Sequence, residues 1–173
     1  MREGEFDKVY AIMEESFPVD EKRTFDEEKE LLSNPIFEIL VWTDDENGEV
    51  KGFVSVYRIE GCCYVEHFAV SAKFRNDGIG KTVLGELTEA EDKICLEVEP
   101  PETEQAKRRI GFYERNGFYL NEYPYVQPPI SAGAKPVPLL IMTTGGRIGK
   151  DEFARIKSAL YVNVYRVPAT AEF

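Results

Sequence analysis

One stretch constrains the fold more than any other: His67-Phe68-Ala69-Val70-Ser71-Ala72-Lys73-Phe74-Arg75-Asn76-Asp77-Gly78-Ile79-Gly80-Lys81-Thr82. It reads as a buried strand, a turn with two glycines and the first turn of a helix. A junction of this kind leaves backbone N–H groups at a helix N-terminus without intrahelical acceptors, beside a strand end, and that arrangement binds phosphate. Downstream, Ile79, Val83, Leu84 and Leu87 share one helical face, and Lys93–Val98 follows as a short, mostly apolar strand. Strand, helix and strand in this order predict a right-handed crossover with the two strands parallel.

Upstream of that unit, Phe6, Val9, Tyr10, Met13 and Phe17 fall at helical spacing and Pro18 ends the run. A second helix is predicted over Phe25–Leu32, with Asp26-Glu27-Glu28 at its positive end, a charge run that reads as a solvated face. The pattern then changes to Phe37–Trp42 and Val50–Tyr57 around the turn Asp44–Gly48, a hairpin, and a third strand is expected from Cys63 to Val70. Cys62 and Cys63, adjacent on that strand, point to opposite faces. The three cysteines suggest neither a disulfide framework nor a metal-ligand spacing.

After Pro100-Pro101, Thr103 caps a helix over Gln105–Asn116 and Gly117 stops it. Phe118–Tyr123 reads as a strand, Pro124–Pro138 as a long loop and Val137–Thr143 as a last core strand. A helix from about Lys150 to Tyr161 follows Gly145-Gly146, and Val162–Val167 alternates like a short strand. The 173 residues suit one domain over 1–173. The net charge of −11 argues against nucleic acid or an anionic membrane as partner and would attract a cation, although solubility explains it as simply. No apolar leader or spanning run is visible, so the expected location is cytoplasmic.

Three phosphate ligands compete for the central turn. A P-loop needs glycine where Arg75 stands, and a dinucleotide fingerprint needs one where Val83 stands, after a β–α–β opening that the chain lacks. The third is coenzyme A, whose pyrophosphate suits backbone amides and whose peptide-like arm suits a strand edge where parallel strands splay. Glu66–Val70 followed by Arg75-Asn76-Asp77-Gly78-Ile79-Gly80 resembles the strand and [Gln/Arg]-x-x-Gly-x-[Gly/Ala] loop of the GNAT superfamily of acetyl-CoA-dependent N-acetyltransferases. Leu96-Glu97-Val98 and Ile110–Phe118 are similar to two further family segments, in the family order, and the resemblance covers Phe6–Thr143.

The resemblance implies an α/β fold with a mixed, mostly antiparallel sheet, helices on both faces and a parallel β–α–β unit at the cofactor site. The family's first strand looks short or missing within Met1–Glu5, the Pro100–Thr103 connection is long, and the helix at about 150–161 is an addition. Acetyl-CoA is the implied co-substrate, with no metal required. It would be bound by Phe68, Ala69, Val70 and the loop Arg75, Asn76, Asp77, Gly78, Ile79, Gly80 and Lys81. Tyr113 stands where the family protonates the departing thiolate. Glu97 is the first candidate for general base, with Glu66, Glu99 and His67 as alternatives. Against these roles, Tyr113 also suits aromatic packing, the glutamates suit pairing with Arg108 or Arg109, and His67 suits a satisfied core position.

The acceptor, a primary amine on a small molecule or protein, is expected near the first helix and the aromatic loop. There Tyr123 and Tyr125 would pack a ligand, a second copy of the chain in a homodimer, or neither. Two other functions remain open to the sequence: a non-catalytic acyl-CoA-binding sensor and, less favoured, a P-loop-like nucleotide enzyme.

Overall fold

The structure, a computed structural model, describes residues 4–131 and 133–173, with the side chain of Asp20 left out. Two helices, α1 (Glu5–Ser16) and α2 (Phe25–Leu31), lead into the meander β1 (Phe37–Thr43), β2 (Val50–Ile59) and β3 (Cys62–Val70). Then come α3 (Ile79–Ala90), β4 (Ile94–Val98), α4 (Glu104–Arg115), β5 (Phe118–Gln127), β6 (Val137–Thr144) and α5 (Lys150–Asn163). The sheet order is β1-β2-β3-β4-β6-β5, antiparallel throughout except for the β3–β4 pair. Of the segment in which the family's first strand would lie, residues 1–3 are outside the described residues and α1 begins at Glu5.

The period-two pattern of the strands sends alternate residues to two cores. Phe6, Val9 and Met13 of α1, Leu31 of α2 and Phe153, Ile156 and Leu160 of α5 pack on one face of the sheet. Val83, Leu84 and Leu87 of α3 and Ile110 and Tyr113 of α4 pack on the other. The α3 trio is essentially inaccessible, and burying such side chains stabilises by about 1.5–3 kcal/mol each. Cys62 and Cys63 do go to opposite cores. Cys62 also meets Cys95 of β4, two free thiols with sulfurs 3.0 Å apart, a contact between residues distant in sequence.

Side-chain caps open two of the helices. Thr24 and Glu27 form a reciprocal capping box at α2, and Thr103 Oγ1 accepts from the Ala106 N–H at 3.0 Å to open α4.

Three expectations are corrected. The strand predicted to stop at Tyr123 runs on to Gln127, because a register shift between Asn121 and Tyr125 absorbs Pro124 where no ladder N–H is required. Residues 162–167 are not a strand: α5 runs to Asn163, and the chain turns after it with Arg166 at φ 56°. Nor is α2 solvated along its whole charge run, since Glu28 points inward and is completely buried.

Candidate active site

β3 and β4 pair over three positions only, Cys63 with Ile94, Tyr64 with Cys95 and Val65 with Leu96. Beyond them Glu66–Val70 and Glu97–Val98 run apart. The local cause is a bulge: Ser55 of β2 opposes His67 and Val56 opposes Val65, which leaves Glu66 as an extra residue on β3. An extra residue bends and twists its strand. It also reverses the facing pattern, so Tyr64 and Ala69 lie in one core while Val65 and Phe68 lie in the other. A cavity of about 290 Å³ occupies the gap, walled by Glu66–Val70, Arg75, Glu97 and Tyr113 among others.

Glu97 reaches the cavity from the face of the sheet covered by α1 and α5. Its Oε2 accepts from Tyr165 Oη at 2.7 Å, Gln127 Nε2 at 2.9 Å and Tyr64 Oη at 3.0 Å, and its Oε1 accepts from Tyr125 Oη. No cation faces it among the described ion pairs. Burial pushes its carboxyl up to about 7, while the bonds from the tyrosines hold it down in part. A group poised there changes protonation near neutral pH, as a general base requires.

Tyr113 reaches the same cavity from the other face, on the last turns of α4, and its ring packs edge-on against Phe112 and Phe118 at 5.5 Å. Its hydroxyl makes no hydrogen bond to the described residues, which leaves the O–H for a ligand. Burial pushes the phenol up to about 12, so it stays protonated at neutral pH. Packing and proton donation are thus compatible in one side chain.

The alternative bases are engaged elsewhere. Glu66 Oε1 accepts from Arg23 Nη1 at 2.8 Å, not from Arg108 or Arg109, and Arg23 also lies 3.6 Å from the Glu28 carboxylate. Glu28, Glu66 and His67 have ligating atoms within 4.8 Å of one another, and the guanidinium of Arg23 supplies positive charge to that group. His67 is a satisfied core histidine, with Nε2 bonded to the Glu21 carbonyl at 2.9 Å and Nδ1 to Ser55 Oγ at 3.2 Å. Burial lowers its pKa and keeps the ring neutral. Glu99 stands past the end of β4 and meets Arg109 at 3.4 Å, so it does not share the setting of Glu97.

The loop expected to hold a phosphate opens α3. Gly78 adopts φ 78° at the N-cap, a conformation that disfavours a side chain. Gly80 is closely packed instead: a Cβ there would sit 3.2 Å from Phe112 Cζ and 3.4 Å from Phe68 Cζ, so those rings would have to give by a few tenths of an ångström. The N–H groups of Lys81 and Thr82 both turn to the Gly78 carbonyl, which leaves those of Ile79 and Gly80 with no acceptor in the helix. Arg75 is exposed at the cavity mouth and returns Nε to the Val70 carbonyl at 3.2 Å. Phe68, Ala69 and Val70 line the gap, whereas Asn76, Asp77 and Lys81 are exposed along the loop and first turn of α3.

Tyr123 and Tyr125, read as packing a ligand, a second copy of the chain or neither, have different partners. Tyr123 stacks on Phe153 at 4.8 Å and donates to the Ile148 carbonyl, a packing role, while Tyr125 holds Glu97. Tyr64, Gln127 and Tyr165 were missed by sequence reasoning. Their polar ends meet only because β3, β5 and the segment after α5 converge, and no spacing announces that.

Residues 36–120 match the Acetyltransferase (GNAT) domain family. Among solved structures, a protein from Bacteroides thetaiotaomicron assigned to the GNAT family of acetyltransferases is 35% identical, with a TM-score of 0.87 over 94% of this chain and 93% of that one. The ribosomal-protein-S18-alanine N-acetyltransferase of Escherichia coli shares the fold at 15% identity and a TM-score of 0.60, over 87% of this chain and 94% of that one. An aminoglycoside 6′-N-acetyltransferase complexed with coenzyme A does so at 16% identity and a TM-score of 0.57, over 83% and 91%. Among curated proteins no sequence matches.

Proposed function

Because the chain belongs to the GNAT family of acetyltransferases, we propose that this acyltransferase moves an acetyl group from acetyl-CoA to a primary amine by direct attack. The observation that carries this reading is the splayed gap, in which Glu97 and Tyr113 approach one cavity from opposite faces of the sheet. Residues 1–173 are taken as one domain, since α5 shares its core with α1 and the sheet.

The residues fit the donor. Among the described residues strand β3 beyond Val65 has no ladder partner on its β4 side, so its backbone can pair with a peptide-like pantetheine arm. The acceptor-free N–H groups of Ile79 and Gly80, with Arg75 beside them, suit a pyrophosphate. The thioester supplies an activated acetyl group, and the chain supplies proton handling. Glu97 takes the proton that the attacking nitrogen must lose, Tyr113 gives its proton to the sulfur as the carbon–sulfur bond breaks, and a β3 N–H near Phe68 or Ala69 polarises the carbonyl. A new amide and free coenzyme A thiol balance the step.

The acceptor is a small-molecule or protein amine. Thiol release from acetyl-CoA over a panel of amines and peptides tests the reading. Tyr113→Phe is expected to lower kcat by ~10-fold to 100-fold while acetyl-CoA binding, followed by thermal shift, persists. Tight acetyl-CoA binding with no turnover of any amine would favour a sensor instead.

A further inference from the structure

We propose that Tyr165, on the segment leaving α5, is a positioning residue for Glu97, so that the C-terminal addition to the family fold completes the catalytic site. This rests on the reading of Glu97 as general base.

A carboxylate has about four lone-pair positions, two on each oxygen. Three donors crowd Oε2, namely Tyr165, Gln127 and Tyr64, and one, Tyr125, reaches Oε1. Proton bookkeeping closes around Tyr165. Gln127 gives one N–H to Glu97 Oε2 and another to Tyr165 Oη, both at 2.9 Å, and Tyr165 passes its own O–H to Oε2 at 2.7 Å. Tyr165 and Gln127 fill the two lone-pair positions of Oε2, Tyr64 Oη also lies 3.0 Å from Tyr165 Oη as a second acceptor for its proton, and the open position is on Oε1. The clamp selects the oxygen that receives the proton.

The backbone is built to deliver this side chain. After α5 the N–H of Val167 returns to the Tyr161 carbonyl at 2.9 Å, and Arg166 takes φ 56°, a left-handed conformation unfavourable for a residue with a Cβ. Just before that reversal Tyr165, 8% exposed, reaches Glu97 on the interior strand β4. Tyr161, one turn earlier, bonds the Val126 carbonyl instead.

Several titratable groups surround Glu97. Tyr64 and Glu66 face it from β3, Tyr125 from β5, and Tyr161 and Tyr165 from the C-terminal element, with Cys95 on its own strand. Tyr113 and Arg109 of α4, with Glu21, His67, Arg75 and Glu99, line the same cavity. Only the two arginines are positive, and both are exposed. The phenolic clamp therefore does what a cation would otherwise do for the charged form.

The test is the pH dependence of turnover by the full-length protein with acetyl-CoA and an accepted amine. Removing a donor to the charged form disfavours it, so Tyr165→Phe should move the acidic limb of kcat upward by about half a unit or more. The loss of rate should be greatest on the acid side, with KM for acetyl-CoA unchanged. Gln127→Leu, which removes a second donor to the same oxygen from another element, should shift the limb in the same direction. Tyr161→Phe should keep the wild-type profile. A Tyr165→Phe profile that superimposes on the wild type, or falls by one factor at every pH, overturns the inference. So does an equal shift in Tyr161→Phe. Undiminished turnover by Glu97→Gln would overturn the underlying reading as well, which separates the two failures.

Discussion

A pair of enclosed glutamates and a single one are treated in opposite ways. Glu28 and Glu66 share one guanidinium, that of Arg23, which lies 8% exposed between them. Among the described residues Glu97 has only uncharged donors, three phenols and an amide, and it keeps an opening to the cavity. The guanidinium ties up Glu66 in a 2.8 Å ion pair; neutral donors leave Glu97 free to trade a proton. The difference teaches why a carboxylate on β4, and not the neighbouring one on β3, suits proton transfer.

The most forceful way to break this comparison is Arg23→Met. It removes the cation that Glu66 pairs with in the interior and should cost about 3–5 kcal/mol in denaturant unfolding. A loss under about 1 kcal/mol would mean that Arg23 is not the compensating charge. Next in size, Glu97→Gln should lower kcat/KM about 100-fold or more near neutral pH and abolish the acidic limb, with little change in the unfolding midpoint. The wild-type limb should fall as pH drops through about 7, where Glu97 takes up its proton. An unfolding loss as large as that of Arg23→Met would erase the contrast between the clusters.

The smallest effect sharpens the sealed cluster. Burial first, then the Glu66 charge, raises the Glu28 carboxyl from 4.5 to about 8, against the pull of Arg23. The folded chain therefore keeps a proton that the unfolded chain releases. This contribution to stability is whole below about 4.5, declines as pH rises and levels off above about 8. Glu28→Gln should flatten that decline and gain of the order of 1–2 kcal/mol on the alkaline side, read as unfolding free energy against pH. An unchanged slope would show that Glu28 does not carry the proton.

Most of the fold was legible because periodicity survives in the chain. Residue spacing alone marks α3 through Ile79, Val83, Leu84 and Leu87, and Asn47-Gly48 marks the β1–β2 hairpin. The continuation of β5 past Pro124 was hidden, because a proline inside a strand reads as a stop unless the strand itself bulges there. At the candidate site, Tyr113 and Glu97 were visible through the family resemblance. His67 and Glu66 looked equally able to act until the bulge on β3 turned them toward Ser55, Glu21 and Arg23.

By itself the sequence determined the α/β pattern, the strand–turn–helix junction at Gly78–Gly80 and the residues that resemble an acetyltransferase, since each depends on neighbours a few positions apart. The tertiary structure decided which glutamate is left with a tradeable proton. Tyr64, Tyr125, Gln127 and Tyr165 lie up to 68 residues from Glu97, and three separate elements must converge before their donors meet one carboxylate. No local pattern encodes such a meeting, because hydrogen bonds between distant residues are set by packing and leave no period in the chain.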